Sequence, residues 1–541
     1  MQPAITSPGD RGRGPDAYRR ALRLAFHACC LTSLALPLGG CTSAREYIQN
    51  GFKVGPNYGK PPAPVAGDWI DAADKRLSHD PDDMCEWWRV FHDPVLDQLI
   101  CFAYRQNLTL REAGFRVLQA RARLGIAVGE LLPQSQFARA DFTWNALSAE
   151  NASSSQLRGN RFFSQWSYGF NLAWELDFWG RFRRAVENAD ANLDASVEDY
   201  DFALVTLLGD VATNYVQLRT TEKRIEYAKQ NVALQQKTVG FLKARKQLQP
   251  AYIPSDLPQA LSVLAQTEAT IPELEITLRQ SVTQLCVLLG IPPEELAAKL
   301  GPGPIPLAPP EVAVGIPADL LRRRPDVRRA ERLAAAQSAL IGVAESEFYP
   351  HISLVGTLGW SAESFKNLFR SSAFTGSFGP QVQWNILNYG RLLNNVRFQD
   401  ARFQELVAGY QQSVLTAGQE AENGLVTFLK AEQRAKLLGE SVAQGVEALR
   451  LANLRLPLAQ SDSDFLRVNQ IQQNLVTQQD TLAVAQGEIA TGLIQVYRAL
   501  GGGWQIRCDG CPTPSLFSPA TTLPLADAPA VKIRAHLGQP Q

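Results

Sequence analysis

Histidine and methionine are nearly missing from this chain, with five and two among 541 residues. So few imidazoles leave little material for a histidine-based metal centre or acid–base pair. Net charge is missing too, because 53 Lys and Arg balance 53 Asp and Glu. A nucleic-acid binder normally carries a basic excess, so no nucleic-acid partner is expected. After Cys41 there is no run of roughly 18 apolar residues, the length that would mark a membrane-spanning helix. If the chain crosses a membrane, it does so with β-strands, the other structure that satisfies its own backbone in lipid. No nucleophile elbow, P-loop or zincin motif is present, so neither an enzyme nor a cofactor is expected. What the chain does have is apolar residues, 45 % of the total, enough to bury a core.

The first residues read as a targeting segment. Arg11, Arg13, Arg19, Arg20 and Arg23 are followed by an apolar stretch from Ala21 to Leu38, which ends in Leu38-Gly39-Gly40-Cys41. Small residues before a Cys are what a lipoprotein signal peptidase accepts. Residues 1–40 are therefore expected to be a lipoprotein signal peptide. Cys41 would carry diacylglycerol, the one covalent group expected. The alternative is an ordinary signal peptide with a chance Cys. Thr42, where Asp would favour inner-membrane retention, fits export to the outer membrane. Cys508-Asp509-Gly510-Cys511 has CxxC spacing. One such pair cannot complete a tetrahedral zinc site, and in an exported chain a local Cys508–Cys511 disulfide is expected. Cys286 lies in an apolar helical run and reads as core.

The chain contains itself twice. Leu172-Ala173-Trp174-Glu175-Leu176-Asp177-Phe178-Trp179-Gly180-Arg181 returns as Val382-Gln383-Trp384-Asn385-Ile386-Leu387-Asn388-Tyr389-Gly390-Arg391, at an offset of 210. Each half reads helix, strand, strand, long helix, helix. In the first copy Tyr168, Phe170, Leu172, Trp174, Leu176 and Phe178 alternate with Gly169, Asn171, Ala173, Glu175 and Asp177, which predicts a strand with one oily and one wet face. Phe378, Val382, Trp384 and Ile386 repeat the pattern. Strands are expected at about 136–146, 164–178, 351–361 and 376–388. Such strands suit a soluble sandwich or a transmembrane barrel. Their length and the Trp residues at their ends favour the barrel. Four strands cannot enclose a lumen, since barrels start at about eight, so several chains must share one. Gly180-Arg181 and Gly390-Arg391 mark structural strand-to-helix junctions. Beyond each lies a Pro-free helix of ~100 Å at 1.5 Å per residue. Each then turns near Pro250 or Pro457 into a returning helix, with Pro272 expected to kink the first.

The motifs now resemble a known family. Val54-Gly55-Pro56-Asn57-Tyr58, Trp87-Trp88-Arg89-Val90-Phe91-His92-Asp93-Pro94, and above all Gly315-Ile316-Pro317-Ala318-Asp319-Leu320-Leu321-Arg322-Arg323-Arg324-Pro325-Asp326-Val327 resemble the TolC-like outer-membrane factors. The branch is the lipoprotein, NodT-like one that serves resistance-nodulation-division pumps. The resemblance implies a membrane β-barrel joined to an α-helical coiled-coil barrel. It implies a homotrimer with a twelve-stranded barrel, outer-membrane lipid around it, a periplasmic adaptor and an inner-membrane pump. The chain would be a passive exit duct in the outer membrane, extending into the periplasm. The segments expected are a lipid anchor and linker at 41–90, one repeat at 91–290, an equatorial segment at 291–317, a second repeat at 318–501 and a low-complexity tail at 502–541. The periplasmic gate of the family falls on Phe465-Leu466-Arg467-Val468-Asn469-Gln470. Leu466 matches its occluding Leu, and Gln470 stands where the family has Asp. Asp462 and Asp464 would supply an acidic ring instead, or simply cap the helix. The rival readings are a structural coiled-coil lipoprotein and a periplasmic adaptor, which carries a lipoyl-like domain flanked by one helical hairpin where this chain has two repeats and four amphipathic strands.

Overall fold

The computed structural model describes residues 43–78, 84–148, 161–248, 255–309, 312–455 and 462–511. Its main elements, in chain order, are α1 (Pro94–Gln106), α2 (Leu108–Gly129), β1 (Ser135–Ala146), β2 (Phe162–Glu175), α3 (Arg181–Leu248), α4 (Asp256–Leu288), α5 (Pro325–Ser346), β3 (His351–Ala362), β4 (Phe374–Gln383), α6 (Arg391–Arg455) and α7 (Asp462–Ala499). Helix α4 runs on through Pro272. The chain divides into two compact units. One comprises Arg123–Asp190 and Ala335–Gln404 with the residues up to Gly59; the other holds Lys60–Ala122, Ala191–Ala334 and the chain from Glu405 onward.

The first unit is built on one antiparallel sheet in the order β1-β2-β3-β4. Its register aligns the alternation across all four strands. Phe142 faces Trp166, Tyr168 faces both Ala140 and Trp360, Leu354 faces Trp174 and Pro380, and Ile352 faces Val382. Most of the large apolar side chains thus collect on one face, with Phe137, Phe163 and Val355 the exceptions. Thr143, Gln165, Asn171, Thr357, Ser377 and Gln381 share the other, because side chains alternate along a strand. Two strands end earlier than the sequence pattern suggests. β2 stops at Glu175 because Asp177 leaves the ladder to accept from the amides of Phe182 and Arg183, capping α3. β4 stops at Gln383; Trp384 then donates its indole N–H to Phe348 O at 2.9 Å, and the chain turns through Tyr389 and Gly390 at φ +51° and +79°.

The second unit owes its core to the aromatic motif before α1. Trp88 is buried, Trp87 stacks on Tyr497 at 5.5 Å, and Asp93 caps α1 while accepting the Tyr215 hydroxyl at 2.7 Å. A short parallel pairing of Leu77–Ser78 with Val312–Ala313 ties the chain ahead of α1 to the segment before α5. Helices α3 and α7 are joined by polar rungs. Arg224 meets Asp480 at 2.6 Å, Asn231 meets Gln479 at 2.7 Å and Thr238 meets Gln472 at 3.0 Å. The α3 members of these rungs recur every seven residues, the spacing of a coiled-coil seam. α6 and α7 touch backbone to backbone. A Cβ on Gly492 would lie 2.9 Å from Phe428 N, so only glycine admits this approach.

Candidate functional site

A duct of the kind the sequence resembles would work through surfaces and constrictions rather than a catalytic cleft. The sheet supplies two unlike surfaces. Its apolar face is left open: Phe142, Trp144, Phe170, Leu358, Phe374, Phe378 and Val382 are all exposed in the single chain. Soluble monomers rarely show so large a contiguous apolar area. Aromatic rings border it at both ends. At the hairpin end Phe142 packs on Trp166 at 4.4 Å, Tyr168 stacks on Trp360 at 5.0 Å and Trp166 meets Phe365 at 5.2 Å. At the opposite end Trp179 stacks on Tyr349 at 4.5 Å and donates to Pro350 O, while Trp174 donates to Leu131 O. Ring bodies on apolar surface with polar tips satisfied suit a lipid–water boundary.

The strand-to-helix junctions are where the sequence placed Gly180-Arg181 and Gly390-Arg391. Gly180 sits at φ +81°, where L side chains are strained, and a Cβ there would press on Lys53 at 2.6 Å. Arg181 lies 3.3 Å from Glu175 and 3.4 Å from Glu347. His351 completes this polar cluster, with Nδ1 2.7 Å from Glu175 and Nε2 3.6 Å from Glu347. Gly390 has the same left-handed backbone, and Arg391 is exposed.

Sequence reasoning missed what distinguishes the two junctions. Arg183 donates to Gly51 O at 2.8 Å and Phe52 O at 2.7 Å, and Arg184 donates to Val54 O and Gly55 O. Lys53 pairs with Glu187, and the Tyr47 hydroxyl donates to Phe178 O. The segment after Ser43 is thereby clamped on the first junction. The second copy has Leu393 and Asn394 where the first has Arg183 and Arg184. That difference was the available signal. Cys41 itself lies outside the described residues.

The candidate gate lies at the start of α7. Phe465 and Val468 are buried with Val239, Leu242, Ala260 and Leu449, so four helices meet here. Leu466 points away from that seam and is 50 % exposed. Gln470, one turn on, is also exposed and bonds Asn474 at 3.0 Å. Helical spacing puts Asp462, Leu466 and Gln470 on one stripe. The side chains of Asp462 and Asp464 lie outside the described residues.

Near the second unit's core, acidic and basic groups interlock. Asp201 is fully buried, with Arg507 at 2.8 Å, and Glu198 pairs with Arg328 at 2.5 Å. Trp504 lies beneath the guanidinium groups of both Arg328 and Arg507. Burial outweighs these cations and pushes the Glu198 carboxyl up to about 7 and that of Asp201 to about 6. Arg324, from the specific arginine-rich motif, is buried between Asp326 and Glu420, both at 2.7 Å, and donates to Ala499 O at 3.0 Å.

The expected Cys508–Cys511 disulfide is not formed. Cys511 is instead joined to Cys101 of α1, with Cα atoms 5.5 Å apart, and the Cys508 thiol is exposed. Cys508 lies in a helical turn (Ile506–Asp509), and Gly510 at φ +77° carries the chain on to α1, where Arg105 donates to Cys511 O.

Comparison with known proteins places this geometry. The family model described as "Outer membrane efflux protein" matches residues 99–291 and 316–502. The chain is 31 % identical to the pyoverdine export outer membrane protein OpmQ of Pseudomonas putida, covering 88 % of this chain and 97 % of that protein. It is 29 % identical to nodulation protein T of Rhizobium leguminosarum bv. viciae, over 94 % of this chain and all of the relative's length (100 %). Among solved structures, the outer-membrane channel OprN superposes with a TM-score of 0.77 at 30 % identity, covering 84 % of this chain and 99 % of that one. The CmeC channel of Campylobacter jejuni superposes at 0.78 with 21 % identity, over 86 % and 99 %.

Proposed function

The chain belongs to the outer membrane efflux protein family, and from that premise we propose how its parts make a duct. It is an outer-membrane efflux channel protein. The observation that carries the proposal is the sheet. Among the described residues β1 and β4 each pair on one side only, and the apolar face is uncovered. Bare strand edges and bare apolar area are both costly in water. Three copies joined edge to edge remove the bare edges, and surrounding lipid covers the apolar face. Twelve strands then close a barrel with lipid against Phe142, Phe170 and Phe378 and water against Asn171, Thr357 and Ser377.

The same element order on either side of residues 291–317 supports an internal duplication, with repeats at 91–290 and 318–501. The long helices continue the duct into the periplasm as a hollow helical barrel. Leu466, with Asp462, Asp464 or Gln470, narrows its far end. The clamp formed by Arg183 and Arg184 holds the segment that follows Cys41, which suits a lipid on that residue as a second attachment to the membrane. The duct is passive, with no enzymatic step and no cofactor beyond that lipid. Energy comes from an inner-membrane pump, of the resistance-nodulation-division type, reached through a periplasmic adaptor.

The test is extraction from outer membranes in mild detergent followed by native mass spectrometry. Three copies per particle are expected. A monomer recovered from the soluble fraction would overturn the proposal.

A further inference from the structure

The C-terminal cysteine pair has no part in the duct, yet its geometry is specific. Cys511 is committed to Cys101, while Cys508, three residues earlier, presents an exposed thiol. The intervening Gly510 sits in the left-handed region with nothing within 4 Å of an added Cβ, so the backbone between the two cysteines has room to turn. The residues ahead of Cys508 are held independently of the disulfide. Ile506 is buried, and Arg507 pairs with Asp201 at 2.8 Å.

We propose that Cys508 is a thiol–disulfide exchange site that transfers the bond from Cys101–Cys511 to Cys508–Cys511. The Cys508 thiolate attacks Cys511 Sγ, one S–S bond forms as one breaks, and Cys101 leaves as a thiolate. The proton lost by Cys508 is taken up from solvent by Cys101, so the step needs neither oxidant nor reductant. The short CxxC spacing makes attack local. The resting bond closes a sequence separation of 410 residues, a closure the fold has already made by holding the two Cα atoms 5.5 Å apart, whereas the open chain would favour the short loop. Exchange unties Cys511 from α1 while Arg507 and Ile506 stay docked. The buried Cys85 and Cys286 take no part.

The test uses the full chain at pH 8.5, near the ordinary pKa of a cysteine thiol, without added redox agents. Samples are quenched in acid at intervals, unfolded, alkylated and mapped as non-reduced peptides. The Cys508–Cys511 peptide is expected to appear as a minor species together with alkylated Cys101. In Cys508→Ser, alkylated Cys101 is expected to fall at least tenfold. In Cys101→Ser, air oxidation is expected to convert Cys508 and Cys511 into the local disulfide, so that Cys508 no longer takes alkylating reagent. A wild-type map that holds only Cys101–Cys511, equal release of Cys101 in Cys508→Ser, or a Cys508 that stays alkylatable in Cys101→Ser would each overturn the proposal.

Discussion

Arg324 shows how one side chain can hold distant parts of a chain together. Its guanidinium serves Asp326, Glu420 and Ala499 O at once, from a buried position. Arg324→Ala would leave the buried Ala499 carbonyl without its donor and half-buried Asp326 without its cation, while Glu420 is exposed and loses little, a loss on the order of 2 kcal/mol. A clear drop in the thermal midpoint is expected, read by circular dichroism, with Arg324→Lys only partly restoring it because lysine lacks the forked donors. Glu198 makes a different prediction. Burial raises its pKa to about 7, from an ordinary 4.5. The folded chain therefore holds this proton where the unfolded chain has lost it. Stability from this group is present below about pH 4.5 and is lost as pH rises through about 7. Glu198→Gln removes the titration, so the fall in thermal midpoint between pH 5.5 and pH 8 is expected to shrink relative to wild type. An unchanged slope would show that Glu198 does not titrate in this range.

At the scale of elements, the strands and the gate differ in how openly the sequence declares them. A period of two over Tyr168–Trp174 announces a two-faced strand, and the register aligns those residues with Trp360 and Leu354 as such a pattern requires. The long Pro-free helices were equally legible. Strand ends were not: Asp177 reads as one more wet residue in the alternation, yet its carboxylate is worth more as a cap for α3. The Cys101–Cys511 bond was hidden for a similar reason. Nearness in sequence favours Cys508 as the partner, while only the folded chain brings α1 to Cys511. The proposed gate is intermediate. Phe465 and Val468 hold α7 in its four-helix seam, which leaves Leu466 turned outward. Leu466→Ser removes an apolar surface without touching the seam. In planar bilayers it is expected to raise open-channel conductance or open time several-fold. No change in either would remove Leu466 from the gate.

The whole molecule makes sense only if its two unlike surfaces have two unlike solvents. An exposed face carrying Phe142, Phe170, Leu358 and Phe378 would draw soluble chains into aggregates; within a bilayer it is what keeps them in place. The membership in the outer membrane efflux protein family and the long helices agree with that economy of surface. The most direct test places a nitroxide label, one position at a time, along residues 138–144, 166–174 and 354–360 of the protein in lipid bilayers. Collision with a lipid-soluble relaxer should peak at Phe142, Tyr168, Phe170 and Leu358, while collision with a water-soluble relaxer should peak at Thr143, Asn171 and Thr357, with a period of two throughout. Equal exposure of both faces to the aqueous reagent would contradict the account.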